Sequence, residues 1–245
     1  MSATPASEFG KLCRMTASLV REVRDSRWAG TERVRIERAA SPAVPSVAPG
    51  WNTLAEVAEA VASCRRCPLH EKRTNTVFGE GDPAADLMFV GEGPGADEDR
   101  QGRPFVGKAG RLLDDIISKG MGLRREQVFI ANVVKCRPPG NRPPRREEAQ
   151  SCLPFLKKQI DLVRPHTILL LGATAVRHLF PEKKTFAMKD ETGRIFSSPD
   201  YPGADLMILF HPAYLLRDPR KQPIFLEHLG TLRRHLEPLG RWPGS

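Results

Sequence analysis

The sequence predicts an α/β protein, a three-layer α/β/α sandwich around a central, mostly parallel four-stranded sheet. Short apolar runs recur along the chain at the length of buried strands. Apolar residues at helical spacing stand between those runs. Because alternating strands and helices are typical of sheets covered on both faces, these observations together favour the sandwich.

Four runs have the composition of buried parallel strands: residues 86–90, 127–131, 167–171 and 206–210. The intervening helices are indicated by three sets of positions: Leu112, Leu113, Ile116 and Ile117, then Leu153, Leu156, Ile160 and Val163, then residues 173–180. Pro154 falls inside the second set, so we expect it to kink that helix or to begin a new one near Ser151.

The beginning of the chain differs in composition from the rest. Apolar positions at helical spacing within residues 9–38 predict a short helix. Residues 39–50 then bring three prolines together with Ser, Ala and Val, which favours an extended linker. We therefore expect an N-terminal extension at residues 1–50, partly helical with a Pro-rich linker, and one larger domain at residues 51–245.

The chain is basic, with 38 lysines and arginines against 29 aspartates and glutamates and a formal net charge of +9. Such a balance favours nucleic acid or lipid headgroups as partners, and charge alone does not choose between them. No apolar run approaches the roughly 18 residues of a membrane span, and the first residues lack the apolar stretch of a secretory signal. We therefore expect a cytoplasmic protein with no membrane partner.

The five cysteines are too few, and odd in number, for a disulfide scaffold. Cys64 and Cys67 form a C-x2-C pair, while Cys136 and Cys152 stand on either side of a proline-rich loop. Four thiolates can close on one centre, which leaves Cys13 as the odd one out. Zinc and an iron–sulfur cluster both accept four cysteines, so the spacing leaves these two metals open.

Three segments that carry chemistry follow directly after predicted strands. They are residues 91–95, Asn132 and His211. Ligands bind at the carboxyl ends of the strands of an open parallel sheet, so we expect these segments to converge. Glycine backbone approaches a flat ligand closely, Phe105 offers a stacking face and His211 offers a hydrogen-bond donor. The combination suits a base that has been flipped out of a nucleic acid.

The motifs together resemble the family-4 uracil-DNA glycosylases, the iron–sulfur branch of the uracil-DNA glycosylase superfamily. The resemblance runs from about Cys64 to the C-terminus. Its ordered parts are C-x2-C at Cys64, G-E-G-P-G at Gly91, G-R-P-F-V-G at Gly102, N-V-V-K-C-R-P-P at Asn132, N-R at Asn141 and H-P-A-Y-L-L-R at His211.

The resemblance implies a hydrolase that releases uracil from single- and double-stranded DNA, leaves an abasic site and acts in base excision repair. It implies a [4Fe-4S] cluster held by four cysteines: Cys64, Cys67, Cys136 and Cys152. We expect that cluster to hold the shape of the basic loop between its ligands, with electron transfer as the open alternative. We also expect a monomer whose partner is DNA containing uracil.

The resemblance also implies roles for individual residues in base excision. Phe105 stacks on the base, Asn132 reads uracil N3–H and O4, and His211 donates to O2 as negative charge develops. Glu92 and the Gly93 backbone line the base pocket, and Glu98 lies near uracil C5, where it excludes the thymine methyl group. The candidates for activating water are Glu92, Glu98 and Asn141. These acids have a second reading, in which they cap the helix after Gly107 or pair with Arg103.

Contacts to the DNA backbone are expected from an acid-free basic stretch and from the segment after His211. The basic stretch supplies Lys135, Arg137, Arg142, Arg145 and Arg146. The second segment supplies an apolar wedge and a phosphate contact: Tyr214, Leu215, Leu216 and Arg217.

Two other functions compete with hydrolysis. One is a relative that stays covalently linked to the abasic site through a histidine in the loop after the second strand, but residues 136–150 contain no histidine. The other is a non-catalytic iron–sulfur module for DNA binding or redox chemistry, against which Glu92, Phe105, Asn132 and His211 count.

Overall fold

The computed structural model describes residues 50–182, 187–240 and 242, together with the backbone of Val34–Arg35. Within these residues one sheet contains seven strands: β1 Val34–Arg35, β2 Glu80–Gly81, β3 Leu87–Gly91, β4 Phe129–Asn132, β5 Thr167–Leu171, β6 Ile195–Ser197 and β7 Asp205–Leu209. Their order across the sheet is β1-β6-β7-β5-β3-β4-β2.

The four predicted strands form the middle of this sheet, as β7, β5, β3 and β4, and all run parallel. Met88 of β3 lies between Phe129 of β4 and Ile168 of β5. The predicted total of four strands is wrong, because β1, β2 and β6 extend the sheet at its sides. β2 and β6 each run antiparallel to the neighbour on their inner side.

Helices cover both faces of the sheet. The described residues contain α1 Leu54–Ala62, α2 Ala96–Gln101, α3 Lys108–Asp115, α4 Arg146–Val163, α5 Ala173–Leu179, α6 Met188–Glu191, α7 Pro212–Arg217 and α8 Gln222–Leu236. Alternate β3 residues face opposite layers. Met88 and Val90 join the core that contains α1, α4 and α5, and Leu87 and Phe89 join the core that contains α3 and α8. The α/β/α sandwich is therefore confirmed.

The alternative that a new helix begins near Ser151 is wrong, because α4 runs through Pro154 from Arg146 to Val163. Proline removes the hydrogen bond to the carbonyl four residues earlier, here that of Gln150. Both Pro154 and Gln150 are exposed, so water can satisfy the freed carbonyl. The helix continues because its interruption falls on the solvent side.

The helix expected within residues 9–38 and the linker expected at 39–50 lie outside the described residues, apart from Val34–Arg35. Those two residues are a strand and not a helix, and they pair in parallel with Phe196 and Ser197 of β6. None of the helices in the described ranges has the length and apolar character needed to cross a membrane.

Candidate active site

A cleft of about 990 Å³ opens at the carboxyl edge of the parallel strands. The segment after β3, the end of β4 and the residue two positions after β7 line it through residues 92–95, Asn132 and His211. The three segments that were expected to converge therefore share one cleft. This is the edge at which open parallel sheets bind their ligands.

Gly91, the last residue of β3, lets two side chains approach the same point. A Cβ atom at this position would lie 2.4 Å from Asn132 Oδ1 and 2.6 Å from Phe105 Cζ, distances that real Cβ atoms essentially never show. The glycine is therefore required by the close approach of an amide and an aromatic ring.

Asn132 ends β4 with its side chain almost fully buried, at 2% exposure. Its Oδ1 atom has no hydrogen-bond partner among the described residues. Leaving a buried acceptor unsatisfied costs about 1–3 kcal/mol, so such an atom needs an explanation. A ligand that donates a hydrogen bond in the cleft supplies one.

Phe105 lies in a loop whose backbone is held in an uncommon conformation. Its φ of 50° is in the left-handed region, which non-glycine residues rarely adopt. Helix α3 packs directly against it, since a Cβ atom on Gly110 would lie 1.9 Å from the Phe105 carbonyl oxygen. The ring is 6% exposed and lines the cleft.

Glu98 ties the Phe105 loop to the segment after β3. Its Oε1 atom accepts hydrogen bonds from the backbone N–H groups of Val106 at 2.9 Å and Gly107 at 2.8 Å. Its Oε2 atom accepts from the Gly95 N–H at 3.0 Å. The carboxylate thus caps α3, the second reading of these acids, while Arg103 pairs with Glu80 at 2.8 Å. Exclusion of a thymine methyl group by Glu98 stays a prediction.

His211 caps α7 and turns its ring toward the cleft. Its ring centroid lies 5.7 Å from that of Phe105, and its Nδ1 accepts a hydrogen bond from the Ala213 N–H at 3.1 Å. Burial, reinforced by the nearby Arg217 charge, lowers the pKa of His211 from 6.5 to about 4. The ring is therefore neutral at pH 7, and because Nδ1 is an acceptor, Nε2 carries the proton.

The candidates for activating water differ in their surroundings. The Glu92 carboxylate lines the cleft and makes no hydrogen bond to another described residue. Asn141 lines the same cleft, but its Oδ1 accepts a hydrogen bond from Arg137 Nε at 2.7 Å.

The backbone at Gly93, which was expected to line the base pocket, does line the cleft. Gly93 lets this backbone pass close to Val134, whose Cγ2 atom would lie 2.6 Å from a Cβ atom at position 93.

The structure corrects the prediction that Lys135 contacts the DNA backbone. Its side chain is buried, at 1% exposure, and cannot reach a phosphate from this position. Its ammonium donates to the Asn132 carbonyl at 3.0 Å and to Gln159 Oε1. Burial lowers the pKa of Lys135 to about 8. A sequence run of cations gave no sign that this one points inward.

The arginines of the basic stretch are accessible to different degrees. Arg145 and Arg146 are exposed at the start of α4. Arg137 is half-buried and bonds Asn141, whereas Arg142 makes a two-pronged ion pair with Glu148 at 2.6 and 2.8 Å. Their contacts to DNA stay predictions, and Arg142 would have to bind phosphate while paired.

The prediction that residues 214–217 supply an apolar wedge also requires a correction. Leu215 is completely buried in the core beside α3 and α8, so it cannot enter a duplex. Tyr214 and Leu216 are half-buried, and Arg217 is exposed. Tyr214 and Arg217 line the cleft. Of the two candidate leucines, only Leu216 remains available.

The structure adds cleft residues that the sequence reasoning missed: Gly172, Ala173, Thr174, Met188, Lys189 and Lys221. Gly172 follows β5, so the rule applied to the other strands could have found it. Its φ of 87° and the 3.0 Å between a Cβ atom there and His211 Cβ explain the glycine. No comparable local signal marks Lys189 or Lys221.

The four predicted cysteines line one small cavity between the segment that follows α1, the loop after β4 and helix α4. Cys136 and Cys152 are buried, and Cys64 and Cys67 are half-buried. Arg73 Nη1 donates to Cys136 Sγ at 3.2 Å, and the Lys135 N–H donates to Cys152 Sγ at 3.3 Å. Donors directed at sulfur favour the thiolate form that binds metal.

Burial has the opposite effect on the free thiols. It raises the pKa of Cys67 and Cys136, and it raises that of Cys152 to about 12. No three His, Cys, Asp or Glu side chains within the described ranges stand close enough to hold a single ion. The four thiols nevertheless share a cavity, and that donor set fits zinc or an iron–sulfur cluster.

The fold and the cleft define a protein of the α/β class with a candidate ligand site at the carboxyl edge of its sheet. The model of one family, "Uracil DNA glycosylase superfamily", matches residues 78–233. The chain therefore belongs to the uracil-DNA glycosylase superfamily, and its relatives place it in the type-4 branch.

Three similar proteins carry the printed name "Type-4 uracil-DNA glycosylase". The one from Thermotoga maritima is 48% identical over 163 residues, which cover 66% of this chain and 82% of the relative. The one from Pyrobaculum aerophilum is 42% identical and covers 76% of this chain and 98% of the relative. The one from Sulfurisphaera tokodaii is 41% identical and covers 74% and 84% respectively.

Proposed function

We propose that this protein removes uracil from DNA by hydrolysing the N-glycosidic bond of deoxyuridine, leaving an abasic site for repair. The observation that carries the proposal is the buried, unpartnered Asn132 Oδ1 beside the Phe105 ring and the His211 imidazole. A uracil base supplies the missing donor and a flat face for the ring. The type-4 relatives support the same activity by name.

Recognition of the base follows from the fixed amide of Asn132. Its oxygen accepts from uracil N3–H, and its nitrogen donates to uracil O4. Cytosine presents an acceptor and a donor in the opposite places, so the same amide faces like groups and binds it poorly. Stacking on Phe105 helps to offset the few kcal/mol that base flipping costs.

Departure of the base places negative charge on uracil O2. The Nε2–H of His211 can donate to that oxygen, because Nδ1 is already occupied by the Ala213 N–H. A neutral imidazole stabilises the anionic base without first binding a proton. Removing one donor of this kind typically lowers the rate about 100- to 1,000-fold.

Water must reach the sugar as its positive charge develops. Among the candidates, Glu92 has the carboxylate with no hydrogen bond to another described residue, whereas Glu98 accepts from three backbone N–H groups. Asn141 is held by Arg137. We therefore assign Glu92 to orient the water and to stabilise the charged sugar.

The cysteine cavity is proposed to hold a [4Fe-4S] cluster. Cys64, Cys67, Cys136 and Cys152 would be its ligands, and the bound group would supply rigid cross-linking between the segment after α1, the loop after β4 and helix α4 without taking part in bond cleavage. The loop between the last two ligands contributes Asn141 and Arg142 to the cleft. The residues thus give the cluster a role in shaping the DNA-binding loop.

The activity is tested by measuring free uracil released from a single-stranded oligonucleotide with one deoxyuridine. Wild type should turn over, and His211→Ala and Asn132→Ala should each lose activity by at least about 100-fold. Protein-linked DNA on the same gel would indicate covalent capture instead. DNA binding without base release by a metal-loaded wild type would support the non-catalytic module.

The metal is tested separately, on protein purified without oxygen. Iron and acid-labile sulfide near four each per chain, with broad visible absorption, would support the cluster, whereas stoichiometric zinc would replace it. Cys152→Ser should reduce the metal content. Cys13→Ser is the matched control and should leave the metal content unchanged.

A further inference from the structure

Lys135 is a buried cation that the chemistry above does not use. Its side chain is 1% exposed, although its neighbours in the sequence belong to a basic stretch. Charged side chains are rarely buried unless they are paired, and none of the described acidic side chains bonds this one. The position therefore calls for a role for the hydrogen-bond donors of this side chain inside the protein.

The two acceptors of that ammonium connect the cleft with helix α4. Lys135 Nζ donates to the main-chain carbonyl of Asn132 at 3.0 Å and to Gln159 Oε1. Gln159 Nε2 in turn donates to the Phe78 carbonyl at 2.9 Å, in the segment just before β2. The lysine thus bonds the residue that carries the unpartnered amide oxygen.

Lys135 also contacts the cysteine cavity. Its backbone N–H donates to Cys152 Sγ at 3.3 Å, and its side chain is among those that line this cavity. Asn132 itself gains no side-chain restraint through Oδ1, because that atom has no partner in the described part of the chain. Its orientation must therefore come from its backbone and from packing.

We propose that Lys135 is a positioning residue for base recognition, which fixes the Asn132 backbone and links its geometry to the cysteine centre. The proposal rests on the proposed function, since it concerns the amide that reads uracil. A 1 Å displacement of a binding group can lower a rate about 100-fold, so a hydrogen bond at the Asn132 carbonyl matters to the reaction.

The test is a double-mutant cycle between Lys135→Met and Asn132→Ala, measured as single-turnover uracil release. Lys135→Met alone should lower the rate by up to about 100-fold. In the Asn132→Ala background it should lower the rate by less than about threefold, because the group it positions is gone. Lys157→Met, which removes an exposed lysine from α4, the helix that carries Gln159, should not change the rate.

Equal effects of Lys135→Met in both backgrounds, or wild-type activity of Lys135→Met, would overturn the proposal while leaving uracil excision intact. An inactive wild type would instead sink the proposed function. For that case, the NMR signal of the Asn132 side-chain amide is measured in wild type and Lys135→Met. A shift larger than in Lys157→Met supports positioning, and no shift refutes it.

Lys135→Met leaves Gln159 Oε1 without its donor and can therefore fold poorly. Lys135→Met combined with Gln159→Met also removes the orphaned Gln159 Oε1, and its own cost is the lost hydrogen bond from Gln159 Nε2 to the Phe78 carbonyl. This variant should retain the melting transition and show the same loss of rate as Lys135→Met. Restored activity in it would contradict a role that acts through Asn132.

Discussion

Gly91 has no side chain, and this leaves the space between Asn132 and Phe105 free for the proposed base. A Cβ atom on residue 91 would clash with both Asn132 Oδ1 and the Phe105 ring. The two groups proposed to recognise the base can therefore lie together at the end of one strand. A larger residue would push them apart or fill the space between them.

Gly91→Ala should lower kcat/KM for uracil release by at least about 100-fold, because the added methyl group displaces the amide and the ring. Overpacking of this kind also lowers the free energy of unfolding by about 1–3 kcal/mol. Rates and thermal melting measure the two effects. Gly230→Ala in α8 is the control, since its Cβ atom would meet only Arg234 Nη1, at 3.4 Å. Wild-type activity of Gly91→Ala would contradict this account of the cleft.

His211 should remain neutral well below the pH at which histidines usually titrate. Its pKa is lowered from 6.5 to about 4, so the rate that depends on its Nε2–H should show no acidic decline between about pH 5 and 8. Single-turnover rates across that range provide the measurement. An acidic decline near pH 6.5 that disappears in His211→Gln would show that the ring is protonated there.

The same pKa makes stability depend on pH. The unfolded chain binds a proton at this histidine below pH 6.5 and the folded chain only near pH 4. The contribution of His211 to the free energy of unfolding, about 3 kcal/mol, is therefore complete above pH 6.5 and is lost as the pH falls toward 4. Denaturant melts of wild type and His211→Gln over this range measure the difference.

Helix α7 presents its two leucines to different surroundings. Leu216→Ala should lower uracil release from double-stranded DNA more than from single-stranded DNA, because a wedge is needed only where bases are stacked and paired. Leu215→Ala should instead lower the free energy of unfolding by about 2–5 kcal/mol. Equal losses on the two substrates for Leu216→Ala would remove this residue from the wedge.

The sequence predicted the four central strands of the sheet but did not predict the strands at its sides. β3, β4, β5 and β7 are continuous apolar runs because both of their faces are covered. β2 and β6 are two or three residues long, and pairing with a neighbouring strand defines them more than composition does.

The candidate site was likewise predicted where local sequence determines the position of a residue, and it was mispredicted where contacts with distant residues determine it. Asn132 and His211 could be placed because each follows a strand. The inward direction of Lys135 could not, because it depends on Gln159, which lies 24 residues further along and reaches it only in the folded chain. Leu215 and Leu216 are adjacent, and only the packing of α7 against the core separates them.

Positive charge surrounds the cleft at several points of the molecule. Among the residues that the structure describes, four cations line it: Arg142, Lys189, Arg217 and Lys221. They come from three separate parts of the chain, so a bound strand would contact cations on more than one side of the base. This arrangement of cations around the cleft supports DNA as the partner that binds there.

Salt should separate cations that contact phosphate from those that do not. Each phosphate contact contributes about 0.9 to the slope of log K against log salt for duplex DNA. Arg217→Ala should therefore reduce the slope by about 0.9, whereas Lys135→Met should leave the slope unchanged because the lysine is buried. Binding titrations at several salt concentrations measure both. A reduced slope for Lys135→Met would return that residue to the DNA interface.

Trp51 precedes the first helix of the described domain and nevertheless belongs to its packing. Its ring stacks on Phe155 of α4 with centroids 5.1 Å apart, and the Arg66 guanidinium, inside the C-x2-C pair, lies 5.7 Å from the Trp51 centroid and 4.9 Å from that of Phe155. A shortened chain made for crystallisation should therefore keep Trp51, and a start at Trp51 removes only β1 from the elements described above. A start at Leu54 would keep every helix of the described residues and would still remove the aromatic ring that covers the cysteine loop.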